Sequence, residues 1–309
     1  MVLWFWHKIG LLIGVSKSTT MKRKEFIKKT ILGSALSSVA ISTFSIYGNK
    51  RDTQDNIKHV GFNHIKIMET KTTTTVLHKA DTRGDANHGW LHSRHTFSFA
   101  NYYNPERMNF GVLRVLNDDI VAPGRGFGTH PHHNMEIISI PLSGDLKHMD
   151  STGRSEIIKQ GDVQVMSAGS GIHHSEMNAN ADKEVRFLQI WVIPNQQNVV
   201  PRYDQITLNP KDSANQLEQI LSPNPDDKGV WIHQDAWFHM GNLDKGKTLQ
   251  YKLKKSTNGV YAFILEGDVT INGQELKKRD GYGLWDVEKL DIKADQDAKV
   301  LLMEVPMSI

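Results

Sequence analysis

Residues 260–276 read VYAFILEGDVTINGQEL. Two apolar runs rich in β-branched and aromatic residues are broken first by Gly267-Asp268 and then by Asn272-Gly273. Asn-Gly is a strong hairpin signal, because both residues tolerate the positive φ of a type I′ turn. The stretch therefore reads as short strands joined by tight turns. The runs are too short, and too rich in β formers, for a helix.

The same layout occurs about a hundred residues earlier. PLSGDLKHMDSTGRSEIIKQGDV (141–163) lines up with ILEGDVTINGQELKKRDGY (264–282). Each has an apolar strand, a Gly-Asp pair, a strand, a turn with glycine, a second strand and another Gly/Asp pair. An internal echo of this kind points to two related lobes. Short strands with Gly-rich turns in both lobes predict an all-β chain of two barrels or sandwiches. VRFLQIWVIP (185–194) adds a further strand, and QLEQIL (216–221) reads as one short turn or helix.

The chain has 309 residues, enough for about two domains. It has no cysteine, which excludes disulfides, thiolate metal sites and a cysteine nucleophile. The net charge of +3 is unevenly spread. Residues 1–71 carry 12 Lys and Arg against 4 Asp and Glu, leaving 25 against 30 in the rest. The body is mildly acidic and lacks the basic stripe of a nucleic-acid binder.

The basic tail reads as an address. MKRKEFIKKTILGSALSSVAISTFSIYG, from Met21, has a charged start followed by an apolar run rich in Ser, Gly and Thr. That is the layout of an export signal. Arg23, Lys24, Phe26, Ile27 and Lys28 resemble a twin-arginine signal with lysine in place of one arginine. Six serines and threonines after Thr30 disfavour a membrane span. Residues 1–50 are thus expected to target the chain to the periplasm, with Met21 as the true start and a cytoplasmic location as the alternative. Residues 51–73 are expected as a linker, 74–198 as a first lobe and 199–309 as a second. The body is expected to be monomeric and not inserted in a membrane.

Chemistry concentrates in GTHPHHNMEI (128–137) and GSGIHHSEMN (169–178). Side chains alternate faces along a strand, so His130 and His132 share a face while His133 points away. Their separation along the strand is ~6.6–7 Å, which two imidazoles can close onto one ion at ~2.0–2.1 Å per bond. Pro131 between them cannot donate to a ladder and predicts an edge strand or a strand end. Glu136, four residues past His132, returns to the ligand face. His174 and Glu176 repeat the spacing, with His173 pointing away. Three imidazoles and a carboxylate with open positions suit Fe(II), Ni(II), Mn(II), Zn(II) or Cu(II), and the affinity order alone favours copper.

These residues resemble the two cupin motifs. Gly124, His130, His132, Glu136 and Gly144 carry the first, with its last gap one residue long. Gly161, Ser167-Ala168-Gly169, His174 and Asn178 carry the second, with serine at its usual proline. The finer resemblance is to the pirin family of bicupins. It rests on RGDANHGWLHSRHTFSFANYYNP (83–105), GFGTHPHHNMEI, HMDSTG (148–153), MSAGSGIHHSEMN (166–178) and WVIPNQQNVVPRYDQ (191–205).

The resemblance implies two tandem cupin (jelly-roll) barrels. It implies one divalent metal in the first, held by His130, His132, His174 and Glu176. Fe(II) is the first expectation, with Ni, Cu, Mn, Co or Zn as alternatives. Glu136 would then sit behind the ligands and orient a histidine. The second lobe, reading YKLKKS around Leu253, would hold no metal, and His233 and His239 would be structural. The implied activity is that of a quercetin 2,3-dioxygenase. A flavonol would bind through its 3-hydroxyl, Glu176 would take that proton, and O2 would open the heterocycle with release of carbon monoxide. The alternatives are a metal-containing bicupin acting as a regulatory or redox binding protein, and a metal-dependent isomerase or hydrolase. Among the remaining residues, His88, His92 and His95 are expected to fix the start of a strand by hydrogen bonding or else to wall the pocket. His148 is expected on a strand surface. Phe127 and Met166 are expected in the core or the pocket lining.

Overall fold

The computed structural model describes residues 72–308. The expected targeting segment, and the linker through residue 71, lie outside these residues. What is described is almost wholly β. The only helical pieces among the described residues are two 3₁₀ turns, Ala80–Thr82 and Pro210–Ser213. No helix there is long and apolar enough to cross a membrane.

Each lobe is one seven-stranded and one four-stranded sheet closed face to face as a cupin barrel, with every pairing antiparallel except that of Glu218–Ser222 with Val230–Trp231. The large sheet of the first lobe runs in the order Arg202–Thr207, Asp162–Ser167, Glu136–Ser143, Val185–Val192, Leu113–Val121, Leu91–His95, Gly84–Asn87. Its small sheet runs Gly126–His132, Ile172–Asn178, Leu146–Asp150, Ser155–Ile158. The second lobe repeats the plan, and its small sheet contains the hairpin Val269–Ile271 and Gln274–Leu276. Asn272 and Gly273 form that turn at φ 47° and 85°, as the Asn-Gly pair predicts.

The largest core lies between the lobes. Leu116, Ile138, Ile140, Val165, Leu188 and Ile190 of one large sheet pack against Phe238, Met240, Tyr261, Phe263, Leu301 and Met303 of the other. Burying each such side chain stabilises the fold by about 1.5–3 kcal/mol. The large sheet of the second lobe is apolar on both faces, with Tyr261 and Phe263 turned to this core and Val260, Ala262 and Ile264 to the barrel interior, so its strand reads as a continuous hydrophobic run rather than an alternating one.

Two strands cross the division at residues 198/199. Thr74–His78 pairs with Gly281–Trp285, in the sheet of the second lobe. Arg202–Thr207 pairs with Asp162–Ser167, in the sheet of the first. Each lobe thus completes its large sheet with a strand from the other's share of the chain. Residues 216–221, expected as a turn or helix, instead enter the strand Glu218–Ser222. Ile220 and Leu221 are both fully buried there, and pairing with Trp237–Leu243 overrides the local preference.

Candidate metal centre

Gly126–His132 forms the outer edge of its four-stranded sheet, where the missing N–H of Pro131 costs no ladder bond. Its neighbour is Ile172–Asn178, and the register sets His130 opposite His174 and His132 opposite Ile172. The three rings meet with centroids 4.8 Å (His130–His132), 4.5 Å (His130–His174) and 4.8 Å (His132–His174) apart. One nitrogen from each lies within 4.8 Å of the others. His133 and His173 are exposed on the opposite faces.

The nitrogens are prepared for a cation. The carbonyl of Gly128 lies 2.7 Å from His130 Nδ1, so that nitrogen carries the proton and Nε2 is bare. Both ring nitrogens of His174 are buried with no hydrogen-bond partner. A buried imidazole left wholly unsatisfied is costly, and donation to a metal removes the cost. Burial, followed by the neighbouring rings, lowers the pKa of His174 to about 2 and of His132 to about 3. Both are held in the neutral form that a metal ligand needs. These observations fit a divalent metal at the three histidines.

Glu176 shares the inward face of its strand with His174. The gathered donor group stops at the three histidines. The Glu176 carboxylate reaches across the barrel to the large sheet, accepting from Ser139 Oγ at 2.9 Å on one oxygen and from Gln189 Nε2 at 2.9 Å on the other. These two belong to a buried polar row, Gln164, Ser139, Gln189, Asn117 and His95, in which each residue is the register partner of the next across five strands. Beside it Ser93 donates to Asp119. Asp119 is fully buried, and desolvation raises its pKa to about 7 with a further contribution from Glu176. The interior of the second barrel is different: Val260, Ala262, Ile264, Leu284, Val300 and Leu302 fill it with hydrocarbon. Its buried carboxylate, Glu304, accepts from Tyr251, Asn258 and the backbone of Lys254 and Lys255. His239 is packed against Tyr251 and His233 against Trp231.

An aromatic wall flanks the histidines. Trp191 stands edge-on to His132 at 4.9 Å, and Phe99 edge-on to Trp191 at 5.4 Å. Phe127 packs against Trp90, while Met166 is core.

Two expectations are corrected. Glu136 does not return to the ligand face. The chain leaves the small sheet after His132 and enters the large one at Glu136, with Asn134 at φ 48° breaking the alternation between them. The carboxylate accepts from Ser167 Oγ at 2.6 Å, and burial raises its pKa to about 7. His148 is not on the surface. It is fully buried, with its ring centroid 5.3 Å from that of His174. The Leu146–Asp150 strand lies within its sheet, between Ile172–Asn178 and Ser155–Ile158, and aims its 146/148 face inward. Of the three N-terminal histidines, His92 bonds Asp85 at 2.8 Å across the strand start, His88 is exposed and His95 enters the barrel. Sequence reasoning missed Ser139, Gln189 and Asp119. The signal for Ser139 and Gln189 is an isolated polar residue among apolar neighbours, whereas Asp119 lies in the polar run Asn117-Asp118-Asp119 and has no such signal.

Comparison with known proteins agrees with this architecture. Residues 74–192 match the family model described as Pirin, and residues 219–305 match that of the quercetinase C-terminal cupin domain. The chain is 42% identical over 230 residues to the quercetin 2,3-dioxygenase of Escherichia coli (strain K12), covering 74% of this chain and 98% of that protein. It is 40% identical over 225 residues to a pirin-like protein of Caulobacter vibrioides, covering 72% and 96%. The crystal structure of the bacterial pirin YhhW from Escherichia coli in complex with nickel(II) superposes with a TM-score of 0.72 at 40% identity, over 76% of this chain and all of that one.

Proposed function

Because the chain belongs to the pirin family, we propose that its first barrel holds a single divalent metal and that the protein is a dioxygenase opening the heterocycle of quercetin-like flavonols with O2. The observation that carries this reading is the convergence of His130, His132 and His174, with both nitrogens of His174 buried and unpartnered. His130 would bind through Nε2, and Glu176 would complete the donor set. When bound, the metal supplies a Lewis acid and open coordination positions for the reactants. Fe(II) remains the first expectation, and the nickel(II) complex of the bacterial pirin makes Ni(II) the next to test.

The protein's own groups have separable tasks. Glu176 accepts the proton of the flavonol 3-hydroxyl. Ser139 and Gln189, each 2.9 Å from one of its oxygens, orient the carboxylate. Trp191 and Phe99 offer an apolar wall for a flat aromatic substrate. Protein loaded anaerobically with Fe(II), Ni(II), Mn(II), Co(II) or Cu(II) is mixed with quercetin and O2. Bleaching of the flavonol band with matching oxygen uptake is expected, and no turnover with any of the five ions would sink the assignment.

We further propose that residues 21–50 direct export to the periplasm. The basis is the charged start and the following apolar, serine-rich run. A reporter active only outside the cytoplasm, fused after residue 50, should be active. It should become inactive when Arg23 and Lys24 are both replaced by alanine.

A further inference from the structure

The buried ring of His148 is the feature that the site described above leaves without a task. Its register partner in the small sheet is Glu176, and that of Asp150 is His174. Its ring is tilted 50° to that of His174, with centroids 5.3 Å apart. The Tyr203 ring is also beside it, tilted 44° at 4.9 Å. The Tyr203 hydroxyl is engaged with Gln205 at 2.6 Å, so it serves as a wall and not as a hydrogen-bond partner of the ring.

The two nitrogens of His148 are unequal. Nε2 lies 3.1 Å from Asp150 Oδ2. The other oxygen of Asp150 accepts the backbone N–H of Thr152 at 2.9 Å and its hydroxyl at 2.5 Å. Asp150 is thus built as an acceptor, and Nε2 of His148 is the nitrogen that carries the proton. Nδ1 is then a bare lone pair. It is buried and has no partner. Beside it, His174 also has both nitrogens buried and unpartnered. A neutral imidazole that gives one nitrogen to a metal keeps an N–H on the other, and that N–H needs an acceptor. Among the buried side-chain atoms without a partner, Nδ1 of His148 belongs to a ring that is a direct neighbour of His174.

We propose that His148 is a positioning residue for the metal centre: its Nδ1 accepts the N–H that His174 retains on binding metal, completing a carboxylate–imidazole–imidazole chain from Asp150. This rests on the proposed metal site. The chain fixes the tautomer and the ring orientation of His174 and makes it a stronger donor. It does not require His148 to touch substrate.

The test measures Co(II) and Zn(II) affinity of the full chain by competition with a chromophoric chelator, with the Co(II) visible spectrum as a second readout. Partner residues of this kind typically set affinity by about 10–100-fold. His148→Leu should lose affinity by about that factor and change the Co(II) band pattern. His148→Asn, which returns an acceptor oxygen near the Nδ1 position, should recover most of the loss, whereas a purely structural role would not be rescued this way. Wild-type affinity and spectrum in His148→Leu would overturn the inference while leaving the metal site standing. Failure of the wild type to bind either ion would overturn the metal reading, and this one with it. Should His148→Leu not fold, histidine-labelled wild type decides by nitrogen NMR. Zn(II) loading must produce a hydrogen bond between the rings of His148 and His174, and its absence would refute the proposal.

Discussion

His130 and His174 stand directly opposite each other across two antiparallel strands, with ring centroids 4.5 Å apart. Nothing but the pairing register brings them together, since they are far apart in the chain. His132 joins them because two residues along one strand return to the same face. A one-residue slip of Gly126–His132 would send both of its inward histidines to solvent.

His174 trades stability for ligation. Its two nitrogens are buried without a hydrogen-bond partner from the protein. His174→Leu should therefore raise the melting temperature of the metal-free protein, by an amount equivalent to roughly 1–3 kcal/mol. The same substitution should abolish metal content. Calorimetry and elemental analysis of one preparation check both.

Glu176→Gln keeps an oxygen for Ser139 and places an amide before Gln189, whose own amide can turn to meet it. The variant should stay folded and retain metal, but lose the base that takes the hydroxyl proton. Single-turnover bleaching of quercetin should fall by about 10²–10⁴-fold, the usual worth of a positioned general base. An unchanged rate would remove Glu176 from that role.

Asp119 introduces a pH dependence of its own. Its pKa is raised to about 7 from an ordinary 3.8 by burial. Between those values the folded state holds a proton that the unfolded state has released, so Asp119 lowers stability as pH rises through this window. Above about pH 7 its destabilising effect is complete. Asp119→Asn mimics the protonated form. Its stability relative to wild type should grow from pH 4 to pH 7 by a few kcal/mol and then level off. Paired denaturant titrations at pH 4.5, 6 and 8 check the sign.

The lobes should not unfold independently. Leu188 is fully buried in the core between the large sheets, and Leu188→Ala should cost about 2–5 kcal/mol. A single cooperative transition is expected before and after the substitution. Cutting the chain at 198/199 should leave neither half folded, because each loses a sheet strand to the other. Two separated thermal transitions in the intact protein would contradict this.

Much of this molecule was already legible in its sequence. Period-two alternation placed His130 and His132 on one face and sent His133 and His173 outward, because strand parity is a local property. The Asn272-Gly273 turn was likewise a matter of backbone sterics at two residues. Pro131 marked the sheet edge, because proline lacks a ladder donor. What the local pattern could not carry was any fact that depends on which strand lies beside which. Glu136 left the ligand face when the chain changed sheets. His148 looked like a surface residue because burial is decided by the strands on either side of it. Ser139 and Gln189 stood as isolated polar residues among apolar neighbours, and Asp119 in the polar run 117–119; they became a connected interior only when the register aligned them. The exchange of Thr74–His78 and Arg202–Thr207 between lobes was invisible for the same reason: hydrogen bonding between distant strands is set by packing across the whole domain, and no window of sequence contains both partners.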